Sequence, residues 1–156
     1  MHKSVMKTAM TLATLTLALS SAAIIANAVA APVADPATGE LTIHASGFTH
    51  ARGHAVAKVF APGDNVLKPG RWQMVAAIEG GTAVFNFSAL PAGRYAVVVF
   101  HDQNDNLEID HGLLGPSEPL GFSGGFALSL LSGRPDFERL QFEFKPPAQA
   151  LEVKVK

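Results

Sequence analysis

Leu90-Pro91-Ala92-Gly93-Arg94-Tyr95-Ala96-Val97-Val98-Val99-Phe100-His101-Asp102-Gln103-Asn104-Asp105-Asn106-Leu107-Glu108-Ile109-Asp110 joins a turn signal, an apolar run and an acidic segment in 21 consecutive residues. Pro91 pre-sets φ for a tight turn, and Gly93 can adopt a left-handed conformation there. The run Ala96 to Phe100 is continuously apolar. A strand of that kind is covered on both faces or lies centrally in its sheet. Oxygen-bearing side chains then fall at every second position from Asp102 to Asp110. The turn therefore feeds a buried strand, and the strand aims an acidic loop.

Working outward, the flanking segments alternate with a period of two. Leu41 and Ile43 alternate with Thr42 and His44 in the first strand, Glu40 to Ala45. The second strand, His54 to Phe60, sets an Ala55, Ala57, Val59 face against a Val56, Lys58, Phe60 face. Pro62, Gly63, Asp64, Asn65, Pro69 and Gly70 mark the next segment as a loop. Trp72 to Glu79 and Thr82 to Ser88 read as a hairpin, with Gly80-Gly81 permitting positive φ at both central positions. Near the end, Phe137 to Phe144 and Ala150 to Val155 read as two one-sided strands. Gly112 to Gly133 between the halves is Gly-rich and reads as an irregular excursion with a helical turn. The sum is an all-β chain: a single antiparallel β-sandwich of about seven strands, immunoglobulin-like or prealbumin-like.

The N-terminus has a different character. Lys3 and Lys7 precede an uncharged run, and small residues at cleavage spacing follow in Ala26-Asn27-Ala28 and Ala28-Val29-Ala30. This is the pattern of a secretory signal peptide over residues 1–28, followed by a flexible tether over 29–38 and the domain over 39–156. The expected location is periplasmic or secreted, with no membrane span once the leader is removed. The sequence has no Cys, so neither a disulfide nor a lipid-modified cysteine is available. Such a domain must hold itself together by its own apolar core, which its length allows.

The whole chain has 12 Lys and Arg against 13 Asp and Glu. Both leader lysines leave on cleavage while every acid stays, so the exported part carries a net charge of about −3. It offers no basic patch of the kind that nucleic acid binding needs. The expected state is a monomer.

Candidate chemistry concentrates in the acidic loop. Calcium takes six to eight hard oxygen ligands, and a compact loop supplies them from alternating positions. Asp102, Asn104 and Asn106 stand at the first, third and fifth positions of such a loop, Glu108 would offer its carbonyl, and Asp110 stands ninth. Two positions depart from an EF-hand: Leu107 sits where the sharp turn favours Gly, and Leu113 where a bidentate Glu belongs. The affinity expected of such a site is in the extracellular class, about 10⁻⁴ to 10⁻³ M. His101 and His111 bracket the same loop, which supplies an alternative: a metal-dependent enzyme or a transition-metal handling protein. His44, His50 and His54 form a second, looser group around the first two strands.

Catalytic candidates are few. Gly121-Phe122-Ser123-Gly124-Gly125 satisfies Gly-x-Ser-x-Gly literally, but a nucleophile elbow needs a strand before it and a helix after it. No catalytic residue is assigned, and the expected protein is not an enzyme. A further alternative, a carbohydrate or peptide binding module, would use Trp72, although an alternating strand context favours packing for that ring.

The motif Leu-Pro-x-Gly-x-Tyr-Ala-Val-x-Val-Phe-His-Asp-x-Asn-x-Asn-x-x-x-Asp resembles an exported bacterial family, domain-of-unknown-function family 2141. Here it spans Leu90 to Asp110, followed by Gly121-Phe122-Ser123 and by Pro135-Asp136-Phe137-Glu138 through Phe142. The likeness runs from about Gly39 to Val155. Leu107 replaces the family's usual Gly, and Gly124 its usual Asn. The resemblance implies an exported β-sandwich and no particular activity. The reading is thus a non-enzymatic binding or accessory module with a candidate calcium loop.

Overall fold

The computed structural model describes residues 37–156 except Leu114, Leu130 and Leu131. The leader and most of the tether expected from the sequence lie outside the described residues. Among the described residues, no helix is long and apolar enough to cross a membrane.

The chain is mostly β. β1 (Thr38–Ser46), β4 (Thr82–Pro91) and β10 (Ala148–Lys154) form one sheet in the order β10-β1-β4. β2 (His54–Phe60), β3 (Trp72–Ala76), β5 (Gly93–Asp102) and β8 (Leu120–Phe122) form a second, in the order β3-β2-β5-β8. β9 (Phe142–Phe144) pairs with the start of β5, and β6 (His111–Gly112) with β7 (Gly115–Pro116). α1 (Phe137–Leu140) is a four-residue helix.

Side-chain alternation explains the layering. Leu41, Ile43, Phe85, Phe87 and Val153 from the first sheet meet Ala55, Ala57, Val59, Val97 and Val99 from the second in one buried cluster. The first sheet turns its other face to solvent, so Val84 and Asn86 are exposed. The second sheet is covered on both sides. Its far face carries Val56, Phe60, Val98, Phe100, Leu120 and Phe122, packed under Phe137 and Leu140 of α1. Every residue of β5 from Tyr95 to Asp102 is therefore buried, which is why this strand is apolar without interruption.

Several local expectations give way to tertiary pairing. Gly80 and Gly81 do take positive φ, and Glu79 bridges Thr82 across them. Beyond that bridge the hairpin opens: β3 pairs with β2 and β4 with β1, so the chain changes sheets. Phe137 to Leu140 is helical, not extended. Asp136 caps it by accepting from the Arg139 N–H at 3.0 Å, a local bond that competes with strand pairing. β10 runs parallel to β1, from Glu40 opposite Ala148 to Ser46 opposite Lys154. A parallel pair needs a long crossover, and here all the elements from β2 to β9 lie between the two partners. In the turn before β5 it is Ala89, at φ 56, that takes the left-handed conformation, while Gly93 is extended and pairs with Phe144.

Candidate functional site

The acidic loop hangs from the buried end of β5. Gly53, at φ 75, lies so close to this end that a Cβ there would fall 2.0 Å from the Asp102 carbonyl oxygen. Only glycine allows that approach. Asp102 is fully buried, and its carboxylate faces the loop's own backbone. Its oxygens accept from the N–H groups of Asn106 (3.1 Å) and Leu107 (2.8 Å). The loop can then turn sharply, with φ 60 at Asp105 and φ 62 at Leu107. Leucine in that region costs roughly 1–2 kcal/mol, so the bonds from Asp102 hold a strained backbone.

Two further buried charges complete the support. Glu118 is 7% exposed and accepts from Gln103 N–H (2.9 Å) and Asp110 N–H (3.3 Å), tying the two ends of the loop together. Lys58 is 6% exposed, donates from Nζ to the Leu107 carbonyl (3.1 Å) and lies over the Phe100 ring. Burial pushes the Lys58 ammonium below the ordinary lysine range, while Glu108, Asp102 and Glu118 pull it back up. Sequence reading missed both residues. Lys58 sits in an apolar strand, and Glu118 between Pro116 and Pro119; neither stands near the loop until the sheet forms.

The structure separates the five residues read as metal ligands. Asn104 and Asn106 donate from their amides to the two Asp110 carboxylate oxygens, at 2.8 and 3.0 Å. These three side chains meet above the loop. The Asn106 side-chain oxygen also accepts from Glu108 N–H at 2.8 Å. Asp102 works beneath the loop, and the exposed Glu108 turns toward the outer face of the second sheet. Among the described residues, no three His, Cys, Asp or Glu side chains are grouped to hold a metal ion.

The histidines also part company. His101 is fully buried beside Phe48 of the inter-sheet core, and its Nε2–H donates to the Arg52 carbonyl at 2.7 Å. Its Nδ1 has no hydrogen-bond partner among the described residues. The His50 ring lies tilted against it, with centroids 4.5 Å apart. His54 pairs instead with Asp105 at 2.5 Å, and His44 lies on β1 in the other sheet. His111 is exposed on β6, on the outer side. Trp72 packs edge-on against Tyr95 at 5.6 Å, with Arg71 over its ring.

Ser123 has a definite structural task. It is 1% exposed, and its Oγ accepts from Val97 N–H (2.8 Å) and donates to the Leu140 carbonyl (2.6 Å). β9 pairs with β5 as far as Tyr95 and β8 from Val98 onward. The hydroxyl thus fills the break in the ladder between them. Its neighbours fit tightly too: a Cβ on Gly124, at φ 68, would stand 2.9 Å from the Arg139 carbonyl oxygen.

No curated protein and no solved structure matches the chain. A bacterial family described as "uncharacterized protein conserved in bacteria" matches residues 43–152, from within β1 to within β10, and so takes in the whole loop and all of its buried supports. The chain belongs to this family, domain of unknown function 2141.

Proposed function

We propose that the protein is an exported, non-enzymatic binding or accessory module, periplasmic or secreted, folded as a β-sandwich, whose acidic loop takes up calcium weakly. The observation that carries the calcium reading is the convergence of Asn104 and Asn106 on both oxygens of Asp110. A half-turn of the Asn104 amide, whose oxygen is not otherwise engaged, would direct its carbonyl oxygen to the position its nitrogen occupies, and a cation would favour that orientation; the Asn106 oxygen stays with Glu108 N–H. The donor set then suits a hard ion: the Asp110 carboxylate, the Asn104 amide oxygen and the backbone carbonyls of a tight loop. Asp102 acts in this reading as the brace that shapes the loop, a charge already satisfied by two N–H groups. Few carboxylates reach the ion, which agrees with an affinity in the millimolar class.

The transition-metal alternative has less support, because His101 faces the inter-sheet core and His111 the outer side. Calcium titration tests the proposal. At ten times Kd, binding adds about 1.4 kcal/mol to stability. The melting temperature should therefore rise by several degrees in millimolar calcium, and Asp110→Asn should abolish the rise. A melting temperature that ignores calcium in the wild-type protein would overturn the metal reading.

A further inference from the structure

The outer face of β2, β5 and β8 is covered in an unusual way. A sheet face this apolar normally packs against a second sheet or a long helix. Among the described residues its cover is one four-residue helix and irregular segments that contribute Val66, Ile109 and Phe126. Between them lies a cavity of about 890 Å³, within the size range of small-molecule sites. Phe60, Val66, Val98, Leu120 and Phe122 form its floor, and each is at least nine-tenths buried. Leu67 and Leu128 line its mouth and remain 51% and 42% exposed. Leu107 and Leu113, in the neighbouring segment, are exposed as well.

Charge adds a second and independent signal. The cavity wall carries Lys58, Lys68 and Arg134 against a single carboxylate, Glu108, together with His111. This concentration of cations occurs in a chain whose formal net charge is −1. Lys58 is committed to the Leu107 carbonyl. Lys68 and Arg134 are exposed and form no ion pair among the described residues. An aliphatic floor with two uncommitted cations at its edge is complementary to a molecule that is apolar along its body and anionic at one end.

We propose that this cavity binds a single-chain amphipathic anion such as a fatty carboxylate, with its chain on the Phe60, Val98 and Phe122 surface and its head group held by Lys68 and Arg134. The proposal needs no metal in the acidic loop, so binding is measured with a calcium chelator present; its failure and the failure of the calcium reading are then separate results. The probe is dodecanoate below its micellar concentration, titrated calorimetrically into the purified protein. Saturable binding at one site is expected, weakening roughly threefold to fourfold for each methylene removed from the chain. Lys68→Glu combined with Arg134→Glu changes exposed side chains only and should weaken dodecanoate at least tenfold while leaving the melting temperature within a degree or two. Dodecyltrimethylammonium, with the opposite head group, should bind the wild type more weakly than dodecanoate. Absence of saturable binding would overturn the proposal. So would equal binding of the two head groups, or flotation with anionic vesicles by a protein that does not bind the monomeric acid.

Discussion

Ser123→Ala isolates a single oxygen atom. In the folded chain that oxygen accepts from Val97 N–H at 2.8 Å and donates to the Leu140 carbonyl at 2.6 Å, in a site only 1% exposed. Alanine removes both bonds and supplies no substitute. The Val97 N–H cannot turn to another strand, because β9 ends its pairing at Tyr95 and β8 begins at Val98. A buried donor left unsatisfied costs about 1–3 kcal/mol, and the abandoned carbonyl adds about 1 kcal/mol. The expected loss is therefore about 2–4 kcal/mol, a large share of the roughly 5–15 kcal/mol typical of a domain. Urea unfolding measures it directly: the midpoint should fall by about 1 M or more with the slope unchanged, since the surface exposed on unfolding is the same. Amide exchange at Val97 should accelerate in parallel. A loss under about 0.5 kcal/mol would contradict this role for Ser123, because it would mean that water or a backbone shift satisfies both groups at no cost.

Leu107→Gly should stabilise the protein by about 0.5–1 kcal/mol, since it relieves a left-handed leucine at φ 62 whose side chain is 44% exposed. Thermal melting checks this, and a lower melting temperature would mean that the side chain contributes more than the backbone strain removes. Lys58 supplies a pH prediction. Its pKa is lowered in the folded protein below the ordinary value of 10.5, so between the folded value and 10.5 the unfolded chain binds more protons and stability rises with pH. Lys58→Met removes this term. The stability difference, wild type minus variant, should therefore grow as pH is raised from 8 toward 10.5, and a difference that shrinks over that range would contradict a desolvated ammonium.

Residue pattern alone made much of the architecture legible. Alternation in β1 and in β4 reports one apolar face and one wet face, and the unbroken run in β5 reports cover on both sides. Gly80 and Gly81 announce their turn because few other residues take positive φ so readily. The acidic loop was legible as a loop for a similar reason, since closely spaced Asp and Asn residues favour turns over strand. Phe137 to Leu140 was misread because Leu140, Phe142 and Phe144 keep a strand-like spacing. The Asp136 cap was present in the sequence, and it outweighs that spacing once Leu140 can bury itself on the outer face of the second sheet.

Local sequence thus sets which residues turn, which extend and which faces are apolar, because those properties reside in φ preferences and in a period of two. The tertiary structure decided which strands are neighbours: β1 beside β10 in parallel, β3 and β4 in different sheets. It also decided what the loop's oxygens do. Asp102 bonds the backbone, Asp110 gathers two asparagines, and Lys58 and Glu118 arrive from 44 residues before and 16 residues after Asp102 to brace them. Such assignments depend on which distant groups are brought together and desolvated. No periodicity along the chain encodes that, because the free energy that selects it belongs to contacts between segments rather than to the segments themselves.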